Sequence, residues 1–363
     1  MLSYMKIAFI VGGLPFGGIA NLLKDITLEL KRKGCDPVVI NLSGTGCNLE
    51  DFLANNIQVL NISNSVKALK THRIDTLIKL RRIIKTLYVD IIHTMEFSGD
   101  YFGRIASLNL KIPVVTHIHN INRQRKLHRR LANKLLSFKT DLFISVSEEV
   151  KKVVDLDHNI AKRKNIVLYN GLDIKKFRTL ENLQEHAKNT NIIICVGRLV
   201  KQKNFDLVIK AFNCLKETFK DLELWIVGDG KEKDNLKRLI DELNLNDKVK
   251  LLGFRTDIPE MLEKACIFLL PSDYEGLPVS HLEAMHMGLP AIISKFVPSR
   301  EIASECSLIC ETNSVDIAEK ISMLLSDKNL YSSLSNKAKE IAKNFTIEQY
   351  VKKLLSAYEE LLN

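Results

Sequence analysis

No apolar run in this chain reaches the roughly 18–20 residues that a membrane-spanning helix requires, so no spanning segment is expected. The run Ile7-Ala8-Phe9-Ile10-Val11 is short and lacks a small-residue cleavage site. It reads as a first β-strand rather than a secretion signal, with Met1 or Met5 as the start of translation. Cysteine is sparse: seven residues are scattered along the chain, and Cys306 and Cys310 form the only close pair. No zinc spacing is completed, which predicts buried free thiols in a reducing cytoplasm. Aromatic residues make up 7% of the chain and none interleave with the basic clusters, which argues against nucleic-acid binding. The glycines after the first strand fall at the wrong offsets for a dinucleotide fingerprint, so NAD is not expected. Repeats and low-complexity tracts are lacking too.

What is present suits a soluble globular protein of two domains: 363 residues, 46% of them apolar and 26% charged, too many for one typical core. The net charge of +10 is unevenly spread. Residues 1–180 hold 29 Lys/Arg against 15 Asp/Glu, and the remainder holds 24 against 28. An anionic surface met by the first half alone would explain that asymmetry.

Strand and helix patterns alternate from end to end. Residues 6–12 form a strand that runs into Gly12-Gly13-Leu14-Pro15-Phe16-Gly17-Gly18, and a helix follows to about Lys33. Further strands are expected at 38–41, 57–60, 90–94, 113–120, 142–146 and 165–169, with a basic helix at 72–88 and another helix at 98–109. Alternation along 113–120 puts His117 and His119 on one side of their strand at its C-terminal end. Residues 123–138 read as a helix with Arg123, Arg125, Lys126, Arg129 and Arg130 on one face and leucines opposite. That pattern suits an interfacial helix on an anionic membrane, or equally a core-packed leucine stripe with a solvated basic face. A polar linker is expected at 179–190. The second half repeats the scheme, with strands at 192–196, 222–227, 248–252, 266–270, 291–294 and 307–310. Two such series imply two Rossmann-like sheets facing an interdomain cleft.

One stretch organises the second half: Pro271-Ser-Asp-Tyr-Glu275-Gly276-Leu277-Pro278, followed by a helix carrying Glu283 and ended by Gly288 and Pro290. Proline suits the first helical position and glycine the exit. In an open α/β sheet such a strand–turn–helix is where ligands bind. Amides at a helix N-terminus favour an anion, whereas carboxylates at Glu275 and Glu283 favour neutral hydroxyl donors. Arg198 and Lys203 leave another strand end of the same sheet, offering a forked and a point-charge contact to phosphate. Together these groups make a diphosphate-and-hydroxyl site that needs no metal.

The order of Gly12-Gly13, His119, Asn170-Gly171-Leu172-Asp173 with Phe177, Gly197-Arg198-Leu199 with Lys203, Val227-Gly228-Asp229-Gly230 and Glu275-x7-Glu283 resembles the retaining family 4 glycosyltransferases. The resemblance spans essentially the whole chain, and it is most specific over Glu275-x7-Glu283 with Ala284-Met285 and Gly288-Leu289-Pro290. It implies the two-domain GT-B fold and a nucleotide-sugar donor as substrate, with no cofactor and no bound metal. By the same resemblance, Arg198 and Lys203 would bind the donor diphosphate with the amides of Gly276 and Leu277. Glu283 would bind ribose hydroxyls and Glu275 the donor sugar. Gly13 and Gly17 would close over the diphosphate, Gly253 would line the donor site, and His119 and Glu275 would stand at the reacting centre. Glu301 is a weaker candidate. Two departures stand out: His93-Thr94-Met95 lacks a second histidine, and Asn204 stands where glycine is common after the lysine.

The expectation is therefore residues 1–178 as an acceptor-binding domain, 179–345 as a nucleotide-sugar-binding domain, and a helix at 346–363 packing back on the first. The expected enzyme transfers a hexosyl or N-acetylhexosaminyl group from a UDP- or GDP-type donor to a lipid-linked glycan for a bacterial surface polysaccharide. It would work in the cytoplasm, peripherally on the inner face of the cell membrane. The alternatives are a nucleotide-sugar epimerase on the same fold and a non-catalytic partner subunit.

Overall fold

The computed structural model describes residues 5–120, 127–158, 164–177 and 191–363. The expected linker at 179–190 and the cations Arg123, Arg125 and Lys126 lie outside the described residues. By its internal contacts the chain divides into Met1–Gly171 with Ile347–Asn363, and Leu172–Thr346. That division falls at 171/172 rather than 178/179 because Leu172 donates its amide to the Phe345 carbonyl at 2.8 Å and bridges to Thr346. Phe177 also packs in a core of the second unit.

In the first unit the short Val/Ile-rich runs form β1 (Lys6–Val11), β2 (Asp36–Asn41), β3 (Gln58–Asn61), β4 (Ile91–Met95), β5 (Val114–Ile118), β6 (Leu142–Ser145) and β7 (Lys164–Val167). All pair in parallel, in the order β3-β2-β1-β4-β5-β6-β7. Their central members are buried on both faces, as a sheet covered by helices on both sides requires. The helices are α1 (Gly18–Arg32), α2 (Leu49–Ala54), α3 (Ile74–Leu87), α4 (Glu96–Ala106), α5 (Leu127–Leu136) and α6 (Glu148–His158). Neither α2 nor α6 is anticipated by the periodicity. For α6 the signal was a start motif: the Ser147 hydroxyl accepts from the Val150 amide at 3.1 Å ahead of Glu148 and Glu149.

Alternate residues of β1 and β4 feed two cores. Ile7, Phe9, Ile91 and Met95 pack with Leu22, Leu23 and Ile26 of α1, whereas Ala8, Ile10 and Ile92 pack with Leu80, Ile84 and Phe102 of α3 and α4. Close approach of α4 depends on glycine: a Cβ on Gly99 would lie 2.3 Å from the Ile10 carbonyl oxygen, and one on Gly103 would lie 2.5 Å from Thr94 Cγ2. The α1 face is completed by the last helix of the chain (Ile347–Leu362), which buries Ile347, Tyr350, Val351, Leu354, Leu355 and Tyr358 at helical spacing.

Helix α5 is seated the opposite way round from an ordinary surface helix. Its inner contacts are polar: Arg104, fully buried, donates from Nε to the Asp100 carbonyl and from its other guanidinium nitrogens to the carbonyl and side-chain oxygen of Asn133. Arg129 lies 4.5 Å from the Phe97 ring centroid. Leu127, Leu131 and Leu135, with Phe138 just beyond, are instead 57–80% exposed. The leucines are thus not the core stripe, and Arg129 packs on an aromatic face instead of pointing freely outward.

The second unit repeats the scheme with β8 (Ile192–Val196), β9 (Glu223–Val227), β10 (Val249–Gly253), β11 (Ile267–Leu270), β12 (Ala291–Ser294) and β13 (Ser307–Cys310), ordered β10-β9-β8-β11-β12-β13 and parallel throughout. Its helices are α7 (Phe205–Leu215), α8 (Lys233–Glu242), α9 (Ile258–Glu263), α10 (Val279–His286), α11 (Arg300–Ala303), α12 (Ser314–Ser326) and α13 (Lys328–Ala342), so that Ile347–Leu362 becomes α14. Pro278 caps α10 in an extended conformation instead of opening it. Cys47 and Cys214 are exposed, unlike the other five thiols, so burial does not cover every cysteine.

Leu354, fully buried between α14 and the first sheet, supplies a direct stability test. Leu354→Ala should cost about 2–5 kcal/mol and lower the thermal transition of the first unit while sparing that of the second. Calorimetry of the full chain checks this.

Candidate functional site

Strand order reverses between β8 and β11 in the second unit, and the crevice beyond the carboxyl ends of such strands is where open α/β sheets hold ligands. Two exit loops meet there. After β8 the chain passes Gly197 and Arg198, makes a short 3-10 turn over Lys201–Lys203, and enters α7 through Asn204. After β11 it passes Pro271 to Pro278 into α10. The loops are latched together: the Asp273 amide donates to the Gln202 carbonyl at 2.9 Å, Gln202 Nε2 to the Tyr274 carbonyl at 2.5 Å, and Asn204 Nδ2 to the Pro271 carbonyl at 3.0 Å and to Asp273 Oδ1 at 2.6 Å. Asn204 adopts φ +53°, a left-handed conformation that asparagine tolerates better than other side chains. The position usual for glycine thus keeps its backbone shape and gains a side-chain clasp.

Behind the latch Lys203 is folded inward over Gly197, where a Cβ would meet its Cε at 3.0 Å. Its Nζ pairs with Glu275 Oε1 at 2.7 Å, both side chains being only about 10% exposed. The resemblance implies separate duties for these two groups; the fold places them in contact. The β9 exit is drawn against the same turn, with the Leu199 amide donating to the Asp229 carbonyl at 3.0 Å and the Glu232 amide to the Leu199 carbonyl at 3.0 Å. This packing needs glycine, since a Cβ on Gly228 would lie 1.9 Å from the Gly197 carbonyl oxygen. Gly253, at the β10 exit, accepts from the Gly228 amide at 2.8 Å. Arg198 is exposed at the loop surface, Gly276 and Leu277 are buried at the approach to α10, and Glu283 is half-buried on that helix. The first turn of α10 holds no acidic residue, which leaves its positive end uncompensated. His281 seats the helix: its Nδ1 shares a hydrogen with the Ser299 hydroxyl at 2.8 Å, and its ring stacks on Phe268 at 5.9 Å. Glu301 is exposed in the first turn of α11.

In the first unit the order reverses between β1 and β4. Gly12 and Gly13 leave β1 there, a Cβ on Gly13 meeting the Ser43 hydroxyl at 3.0 Å. Gly17 caps α1, whose first turn has neither a capping side chain nor an acidic residue. Glu96, which the sequence reading missed, opens α4 at φ +63° with its carboxylate near Gly12. A non-glycine residue in this conformation at a strand exit is the kind of strain that collects at functional sites. One strand over, His119 lies just past the end of β5 and is 8% exposed. Its ring rests on His117, centroids 3.9 Å apart, so the expected shared side is observed. Burial pushes His119 down to about 3, keeping the ring neutral at any ordinary pH. His93 is not a bystander: its Nε2 meets His117 Nδ1 at 3.3 Å and its Nδ1 meets the Tyr358 hydroxyl at 2.5 Å.

The second unit therefore offers a cation, helix-end amides and carboxylates in one place, a combination suited to an anion attached to hydroxyl-bearing groups. The first unit offers a neutral buried imidazole at a strand exit. Relatives agree in kind. A family profile described as Glycosyltransferase Family 4 matches residues 16–176, and one described as Glycosyl transferases group 1 matches residues 177–341. The chain is 28% identical over 337 residues to the UDP-Gal:alpha-D-GlcNAc-diphosphoundecaprenol alpha-1,3-galactosyltransferase of Escherichia coli, covering 86% of this chain and 87% of that one. It is also 28% identical over 309 residues to the N,N'-diacetylbacillosaminyl-diphospho-undecaprenol alpha-1,3-N-acetylgalactosaminyltransferase of Campylobacter jejuni, covering 78% and 80%. Among solved structures, Anabaena HepE in complex with UDP and glucose superposes with a TM-score of 0.83 at 21% identity, covering 98% of this chain and all of that one. Two parallel α/β sheets and that likeness show the GT-B fold.

Asn204 is where latch and backbone conformation can be separated. Asn204→Gly loses the clasp but keeps the conformation, whereas Asn204→Ala loses both, so alanine should cost about 1–2 kcal/mol more than glycine. Denaturant melts of the two variants check the difference.

Proposed function

Since the chain belongs to the family 4 glycosyltransferases, we propose that it is a retaining, metal-independent enzyme that moves a sugar from a UDP- or GDP-type donor to a hydroxyl of a polyprenyl-diphosphate-linked glycan. The observation that carries this reading is the Lys203–Glu275 pair at the second switch point. A nucleoside diphosphate-sugar presents both of the partners that this pair calls for. Its diphosphate takes Lys203, with Arg198 and the amides of Gly276 and Leu277. Its sugar hydroxyls take Glu275 as the lysine leaves, and its ribose hydroxyls take Glu283. Gly253 lines the donor site, and Glu301 stands exposed in the first turn of α11.

As the bond from the anomeric carbon to the diphosphate breaks, its electron pair goes to the phosphate oxygen. Preorganised cations and amides are worth most at that developing charge. The acceptor oxygen bonds to the anomeric carbon on the face the diphosphate leaves, and its proton passes to the departing phosphate. His119, neutral and held at the end of β5, orients the reacting groups by hydrogen bonding. UDP bound in the HepE complex and the undecaprenol-linked substrates named for the E. coli and C. jejuni relatives support this donor and acceptor class.

The lipid end of such an acceptor makes sense of α5. Among the described residues no helix is long and apolar enough to cross a membrane, yet α5 turns its leucines outward beside the exposed Arg130 and Lys134. We assign that face to an anionic lipid surface on the cytoplasmic side, where leucines enter the interface and cations meet headgroups, each cation contributing about 1 kcal/mol. The expected setting is synthesis of a bacterial surface polysaccharide.

Two measurements test this reading. With a panel of UDP-, GDP- and ADP-sugars, one donor should release nucleotide and raise the melting temperature. Arg198→Ala or Lys203→Ala should then lower kcat by about 10²–10³-fold. No turnover or stabilisation with any donor, together with a Glu283→Ala variant that behaves as wild type, would remove the reading. In vesicle sedimentation, Leu131→Ser with Leu135→Ser should weaken binding to anionic vesicles about tenfold or more, from roughly 0.8 kcal/mol per buried methylene. Unchanged binding would reject the assignment of α5.

A further inference from the structure

A line of polar side chains crosses the apolar core of the first unit and ends at His119. It starts on α14 with the Tyr358 hydroxyl, passes through His93 on β4, and reaches His117 on β5. Phe9, Met95, Val115 and Leu354 surround it in the same core, and His93, His117 and Tyr358 are wholly buried. Burying three such groups among hydrocarbon is costly unless each is hydrogen-bonded. All three are neutral, for burial pushes His93 down to about 3, drives His117 well below its ordinary value, and raises the Tyr358 hydroxyl.

Neutral imidazoles carry one hydrogen each, so the line has a direction. If Tyr358 donates to His93 Nδ1, His93 carries its hydrogen on Nε2 and donates to His117 Nδ1. His117 then carries its own on Nε2, next to the ring of His119. In the opposite direction His117 Nδ1 donates to His93 Nε2 and His93 Nδ1 to Tyr358. The phenolic hydrogen is then stranded inside the core. The unpartnered atoms lie at the other end: neither His117 Nε2 nor His119 Nε2 has a hydrogen-bond partner among the described residues. The first direction gives the Tyr358 hydroxyl an acceptor and leaves the line's single unpaired hydrogen on His117 Nε2, at the end beside His119, whereas the second leaves it on Tyr358 within the apolar core.

We propose that His117 is a positioning residue for His119, locked as its Nε2–H tautomer by the chain Tyr358–His93–His117, so that helix α14 governs the ring on which His119 rests. This deepens the transferase reading and rests on it for the role of His119. The 3.9 Å ring contact transmits the order: a His117 ring that cannot flip or change tautomer holds His119 in one plane. The arrangement is particular to these side chains, since His93 and Tyr358 are 265 residues apart and no local motif joins them.

The test is tautomer assignment in the full-length protein labelled with 15N at histidine, where the two ring nitrogens separate by protonation state. Wild type should show His93 and His117 both as Nε2–H. Tyr358→Phe keeps the ring and removes the donor, so His117 should become a mixture of tautomers and kcat should fall about tenfold with the donor KM unchanged. Tyr331→Phe, which deletes a buried hydroxyl bonded to the Cys266 carbonyl in the second unit, should leave tautomers and kcat alone. His117 found as Nδ1–H in wild type overturns the proposal. So does a Tyr358→Phe protein with an unchanged His117 spectrum, or an equal loss of kcat in Tyr331→Phe. The wild-type spectrum needs no variant to fold and no donor to turn over, so it stands or falls separately from the transferase reading.

Discussion

The clasp between the β8 and β11 exits is the constraint on which the proposed donor site depends. A parallel sheet delivers its strand ends to one edge but does not fix the loops beyond them. Here Gln202 and Asn204 tie one loop to the backbone of the other. The consequence is electrostatic: with the clasp in place Lys203 lies across Gly197 and against Glu275. A buried cation and carboxylate in contact hold the loops in shape without a ligand, and either one can be claimed by a ligand bearing the opposite need.

The first unit solves a different problem with the same means. Two of its features reverse the usual rule of polar outside and apolar inside. Helix α5 is fastened by Arg104, Asn133 and Arg129 while its leucines face out, and the sheet core admits two histidines and a tyrosine. Each reversal is tolerated because the buried polar groups are satisfied along most of their length.

The sheets were legible because parallel strands buried on both faces read as short Val/Ile runs ended by glycine or a polar turn. The α10 segment was legible too, since Glu275, Glu283 and Gly288 lie within one local unit. What escaped has a common physical cause. The periodicity of α5 shows that it has two faces but not which one the protein covers; that was decided by Arg104, a residue on another helix. His93 looked like a departure from a motif because its partner Tyr358 lies on a helix at the far end of the chain. Helix α6 lacked a strong apolar stripe and announced itself only through the Ser147 cap. The pairing of Lys203 with Glu275 depends on loop contacts that no spacing reveals.

One feature of the architecture bears on the order in which the molecule can be made. The first sheet is complete by residue 167, yet the helix that covers its α1 face is drawn from residues 347–362, translated after the whole second unit. During synthesis the surface around Phe9, His93 and Val115 stays uncovered for well over a hundred codons. The emerging chain therefore carries an unfinished hydrophobic face until Ile347–Leu362 is made and packs on it.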